Sequence, residues 1–249
     1  MSLLQVQKAS RHFGSLIAVN DVSLTVAPGE LRAVIGPNGA GKTTFFNLIS
    51  GFFPPTAGSI LFDGKDVTAM PPHRRVAMGM ARTFQITEIF PELSVRENLR
   101  IPTEVAAGMR LNPFASRAAE RAIKGREDEL LEMSGLKDKA DRLVGELPHG
   151  DQRATEIIMS LALKPKLLLL DEPTAGMGDQ ETYDITQLIR KLHRDQKLTI
   201  VLIEHDMRVV FHLADQIMVL AEGSVLAEGT PAQIGADERV QAAYLGKVA

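Results

Sequence analysis

Three short, almost unbroken apolar runs punctuate the chain: LRAVIG at 31–36, KLLLLD at 166–171 and the start of LTIVLIEHD at 198–206. Runs of this length bounded by glycine or charge read as strands buried on both faces. Helical spacing fills the intervals. KTTFFNLIS is a helix closed by Gly51, and residues 71–78 form a short helix opened by prolines and ended by Gly79. SILFDG and MARTFQ read as further strands. Between about residues 86 and 165 the pattern turns helical. Ser94-x-x-Glu97 is a capping box opening SVRENLRI, a charged helix spans 116–133 around Gly125, and another runs over 150–163. Alternation then returns with an amphipathic helix, DQETYDITQLIRKLHRD, whose N-cap is expected at Asp179. ADQIMVLAEGSVLAEG is a hairpin turning at Glu222-Gly223, and a short helix near DERVQAAYLG follows. The pattern predicts an α/β chain: a largely parallel sheet flanked by helices and interrupted by a helical lobe.

Composition narrows the picture only a little. The chain has 249 residues, 45% of them hydrophobic and 24% charged, with net charge −3. That balance suits a globular chain with a sizeable core and gives no reason to expect a nucleic-acid partner. Cysteine is absent, so disulfides and thiolate metal sites are excluded. No apolar run reaches the roughly 20 residues of a membrane span. MSLLQVQKASRHFG lacks the basic start and long apolar core of a signal peptide.

The strongest chemical signal follows the first apolar run. GPNGAGKTT, residues 36–44, fits the spacing of a phosphate-binding loop between a strand and a helix. Its glycines let the amides of Asn38, Gly39, Ala40 and Gly41 turn toward phosphate oxygens, and the helix N-terminus adds partial positive charge. Lys42 reaches the outer phosphates, Thr43 offers a hydroxyl to Mg²⁺, and Thr44 completes the first helical turn. KLLLLDEP places Asp171 at the C-terminal end of a buried strand, where open α/β sheets hold ligands. One carboxylate there can hold Mg²⁺ and its neighbour, Glu172, can deprotonate a water.

With these residues in place, the chain resembles the ATPase subunits of ABC transporters over nearly its whole length. The elements run in the family's order: Phe13 in RHFG, the phosphate loop, Gln85 in RTFQ, Leu147-Pro148-His149-Gly150-Asp151 where the signature belongs, Asp171-Glu172, and His205 in IEHD. RHFGSLIAVNDVSL, RTFQ, IEHDM and TPAQIGADERVQAAYLG resemble the branched-chain amino-acid importer ATPases in particular. The resemblance implies a P-loop NTPase (RecA-like) core with an N-terminal antiparallel β element and an inserted helical subdomain. Residues 1–85 and 166–249 would form the core, and 86–165 the insertion. It also implies ATP and Mg²⁺ as ligands, with Phe13 on the adenine, Gln85 near Mg²⁺ and the attacking water, Glu172 as general base, and His205 on the γ-phosphate. The partners implied are a second ATPase chain, two transmembrane permease subunits and a solute-binding protein. The chain would work at the cytoplasmic face of the plasma membrane.

Four positions depart from the family pattern. Pro148 stands where a serine would offer a hydroxyl and an N–H, His149 replaces a glycine, Asp151 replaces a glutamine, and Gly178 stands where the following loop carries Asp or Asn. Asp151 would repel a triphosphate unless it caps its helix or faces Arg153. An active self-dimer or paired heterodimer, and a weaker regulatory half of a heterodimer, are both compatible with these residues. Two further classes share parts of the pattern: the exporter ATPases of the lipopolysaccharide type, and the soluble ABC proteins of translation or repair. The exporters lack the RTFQ and IEHDM combination. The soluble proteins usually carry two linked cassettes or a long coiled coil.

Overall fold

The computed structural model describes residues 2–83, 89–108 and 117–245. The chain opens with two long strands, β1 (Leu4–Phe13) and β2 (Leu16–Val26), then β3 (Leu31–Ile35) and α1 (Lys42–Ser50). Next come β4 (Ala57–Phe62), β5 (Lys65–Asp66), α2 (Pro72–Ala77) and β6 (Met80–Arg82). Helices α3 (Val95–Ala106), α4 (Arg117–Ser134) and α5 (His149–Leu161) separate β6 from β7 (Leu167–Asp171). The remainder is α6 (Asp179–Gln196), β8 (Thr199–Ile203), α7 (Met207–Leu213), β9 (Gln216–Ala221), β10 (Ser224–Gly229), α8 (Pro231–Ala236) and α9 (Glu238–Leu245).

The strands form two sheets. One is antiparallel in the order β2-β1-β4-β5, and the other has the order β10-β9-β3-β8-β7-β6. In the second, β9, β3, β8, β7 and β6 pair in parallel and β10 closes the edge antiparallel. Every residue of β3, β7 and β8 is buried. The pleat sorts β7 between two cores. Leu168 and Leu170 join α5, α6 and α7 on one face, while Leu167 and Leu169 join Phe45, Phe46 and the antiparallel sheet on the other. This is why four consecutive leucines form one strand.

Local chemistry sets the ends. Ser94 and Glu97 make both halves of the expected capping box. Gly51 ends α1 in the left-handed conformation, its N–H on the carbonyls of Asn47 and Leu48. Glu222 and Gly223 both take positive φ, the geometry of a two-residue hairpin turn. Two expectations are corrected. The N-cap of α6 is Gly178, not Asp179, because Glu181 reaches back to the Gly178 N–H and Asp179 becomes the first helical residue. The strand 198–206 ends at Ile203, and Asp206 instead caps α7 by accepting from the Arg208 N–H. Helix α3 continues through Pro102, where the Thr103 hydroxyl donates to the Leu99 carbonyl at 2.7 Å.

Candidate functional site

The phosphate loop is clamped between β3 and α1. Gly41 caps α1 at φ +95°, and a Cβ there would stand 2.3 Å from the Ala18 carbonyl oxygen. At Gly36 a Cβ would stand 2.1 Å from the Leu220 carbonyl oxygen. Only glycine lets the loop lie this close to β2 and β9. The hairpin turn braces it from outside: Gly223 N–H donates to Ala40 O at 3.2 Å, and Asn20 N–H to Gly223 O at 2.8 Å. Asn38, Gly39 and Thr43 are exposed, Ala40 is buried, and Thr44 is half-buried.

Lys42 is buried and folds back over the loop. Its Nζ donates to the Gly36 and Pro37 carbonyls at 2.7 and 3.0 Å. Burial pulls the ammonium below its ordinary value, while Glu172 and Asp171 pull it up. Asp171 is buried at the end of β7, its Oδ2 2.9 Å from Arg82 Nη2. Burial raises the Asp171 carboxyl and the Arg82 guanidinium opposes that rise. Arg82 Nη1 also donates to Asn47 Oδ1 at 2.6 Å and Ser50 Oγ at 2.8 Å. One guanidinium thus ties β6 to the phosphate-loop helix and to the end of β7.

Glu172 takes φ +47°, and its N–H donates to the Ile203 carbonyl at 2.9 Å. That turn carries its side chain across the end of β8 to His205, where Oε1 meets Nε2 at 2.5 Å.

The segment 147–151 begins α5. Leu147 is buried, Pro148 is the N-cap, and exposed His149 is the first helical residue. Pro148 gives no side-chain cap. The Gly150 N–H donates instead to Glu181 Oε1 at 2.9 Å. These N–H bonds from Gly150 and Gly178 hold the Glu181 carboxyl below its ordinary value. Asp151 does not face Arg153. It pairs with Lys139 at 2.6 Å, because Arg153, on the inner face of α5, points into the core. There Arg153 Nη2 donates to the Asp171 carbonyl at 2.8 Å and Nε to the Pro173 carbonyl at 3.3 Å.

Phe13 lies at the end of β1. Its ring packs edge-on against Phe53 with centroids 5.5 Å apart, and the Arg11 guanidinium lies 4.7 Å from each ring centroid. The ring remains 43% exposed, so part of it is open to a planar ligand. Gln85 lies outside the described residues.

The sequence pattern of a family described as ABC transporter matches residues 19–175. The high-affinity branched-chain amino acid transport ATP-binding protein BraF of Pseudomonas aeruginosa is 41% identical over 98% of each chain. The chain belongs to the ABC transporter family. LivG of Escherichia coli K12, of the same description as BraF, is also 41% identical over 98% of each chain. The lipopolysaccharide export ATP-binding protein LptB of Haemophilus influenzae is 36% identical, covering 99% of this chain and 98% of its own. A second pattern, described as branched-chain amino acid ATP-binding cassette transporter, matches residues 224–249. Among solved structures, the ADP conformation of MJ1267, an ATP-binding cassette of an ABC transporter, superposes with a TM-score of 0.86 at 30% identity. It covers 99% of this chain and 100% of its own.

This ABC ATPase therefore brings Lys42, Asp171, Glu172 and His205 to one end of its parallel sheet. Sequence reasoning missed Arg82, Arg153 and Glu181. The visible trace of Arg82 was its place three residues before Gln85. Arg153 and Glu181 bond backbone groups, which leave no mark in the sequence.

Proposed function

We propose that the chain is the ATP-hydrolysing, energy-coupling subunit of a bacterial importer for branched-chain amino acids or a related small solute. The observation that carries this reading is the Glu172–His205 contact at 2.5 Å, at strand ends on the sheet that presents the phosphate loop. The 41% identity to BraF and LivG, against 36% to LptB, favours import over export. Such a subunit works as one of two ATPase chains beneath two permease subunits, at the cytoplasmic face of the membrane. A solute-binding protein delivers the cargo. The insertion between β6 and β7 is the lobe that passes motion to the permeases.

The residues fit a nucleotide with Mg²⁺. Gly36 and Gly41 leave no room for a Cβ, and Thr43 and Asp171 supply hard oxygen donors. Thr43 and Asp171 would hold Mg²⁺ together with oxygens of the nucleotide. Bound Mg²⁺ neutralises charge on the phosphates. Lys42 and the amides of Asn38 to Thr44 bind the phosphate oxygens, and Phe13 takes the adenine. Glu172 accepts the proton of a water as it attacks the γ-phosphorus and the bond to ADP breaks. His205 orients Glu172 and the γ-phosphate, and Gln85 lies beside the water. The segment 147–151 faces the partner chain's ATP.

The test is Mg²⁺-ATP hydrolysis over a range of protein concentrations, with Lys42→Ala as control. Turnover rising more steeply than linearly, and absent from the control, supports an active self-dimer. Turnover equal in the control would overturn the reading of the site. Pro148 and the occupied Gly150 N–H favour a second reading, in which the chain is the weaker half of a heterodimer. In that case turnover appears only when a second ATPase chain is added.

A further inference from the structure

Glu204 sits between β8 and His205 and is only 3% exposed. Among the described residues no cation pairs with it. Its charge is met by four donors from two segments. Oε1 accepts from the Thr174 backbone N–H at 3.0 Å and from the Thr174 hydroxyl. Oε2 accepts from the His205 N–H at 2.7 Å and the Asp206 N–H at 3.3 Å. Thr174 leaves the end of β7 just beyond Glu172, and His205 leaves the end of β8.

We infer that Glu204 is the positioning residue for His205, a buried carboxylate that locks the β8 exit to the β7 exit so that His205 and Glu172 meet. A buried charge without a counter-ion is costly, and persists only where hydrogen bonds offset that cost. Here every donor comes from the two segments that carry the catalytic pair. Both ends of the carboxylate face N–H groups, so a glutamine can satisfy one end only. Its amide nitrogen would point at N–H donors on the other. Whichever end keeps its oxygen, one of the two exits loses its acceptor, and the hold of the β7 exit on the segment that carries His205 is loosened.

This inference rests on the proposed role of His205. The experiment measures kcat, ATP affinity and thermal melting for Glu204→Gln, Thr174→Val, Thr174→Ser and His205→Ala. Glu204→Gln lowers kcat about tenfold to a hundredfold, as misplacing a reacting group does. ATP affinity stays within about twofold, since the phosphate loop is untouched. Thr174→Val lowers kcat by more than Thr174→Ser, which keeps the hydroxyl; this pair carries the test should Glu204→Gln not fold. Parental kcat in Glu204→Gln overturns the inference. So does a loss of kcat matched by an equal loss of ATP affinity, or by equal losses in the two Thr174 variants. Parental turnover in His205→Ala overturns the reading of the site, and the inference with it.

Discussion

His205 Nε2 lies 2.5 Å from Glu172 Oε1 across 33 residues of chain. Two adjacent parallel strands, β7 and β8, end at the same level and deliver the pair. Glutamine at 172 keeps the shape and the hydrogen bond but cannot take a proton. Glu172→Gln is therefore expected to lower kcat by about 10²–10⁴-fold while ATP affinity holds. Size-exclusion chromatography in ATP should then show a nucleotide-bound dimer accumulating. Parental turnover in this variant would remove Glu172 from the role of base.

Arg75 is a second candidate for mutation, through stability. Its buried guanidinium donates to the carbonyls of Leu48, Ile49, Val67, Thr68 and Met70. Two of these are among the last carbonyls of α1, the helix that begins at the phosphate loop. Burial pushes Arg75 down to about 10, so it stays charged at neutral pH. Arg75→Met leaves these acceptors without a donor and should cost about 3 kcal/mol or more, read by urea denaturation. Arg75→Lys, with three donors instead of five, should recover only part.

Acid should act at the start of α5. The Glu181 carboxyl lies below its ordinary value of 4.5 because the Gly150 and Gly178 N–H groups bond its charged form. A folded value below the unfolded one means stability that is present above pH 4.5 and lost as pH falls through the folded value. Melting curves of the parent and Glu181→Gln should therefore differ near neutral pH and converge in acid. A gap that widens in acid would contradict the bonding described.

Gly41→Ala tests the cradle. The new Cβ meets the Ala18 carbonyl at 2.3 Å, on a backbone at φ +95°. Strain and overlap together should cost about 1–3 kcal/mol and weaken ATP binding, measured with a fluorescent nucleotide. Gly39→Ala is the comparison. Nothing lies within 4 Å of its Cβ, so its cost comes from φ +80° alone.

Much of this was legible in the sequence because it is local. The bounds of α1, the Ser94 cap and the Glu222-Gly223 turn depend on residues within a few positions of one another. Asp179 failed as an N-cap because Glu181, three residues past Gly178, supplied the acceptor instead. Asp151 found Lys139 and not Arg153, since two residues along α5 turn the side chain by about 200°, from a half-buried position to a buried one on the opposite face. Glu204 and Arg75 were opaque for a different reason. Glu204 reaches the Thr174 N–H and Arg75 the Leu48 and Ile49 carbonyls, backbone groups that only the fold brings near and that are the same at every position.

The phosphate loop is contiguous in sequence, yet the strand that presents it is not self-sufficient. β3 lies between β8 and β9, pairing Leu31 with Ile200 and Arg32 with Gln216, and the loop itself rests against Leu220 and Gly223. On a ribosome, residues 31–44 emerge long before their neighbours. The nascent chain therefore has no finished place for ATP until its last strands have been made. Nucleotide can stabilise the cassette only at the end of synthesis, so a chain truncated before β9 is not rescued by ATP.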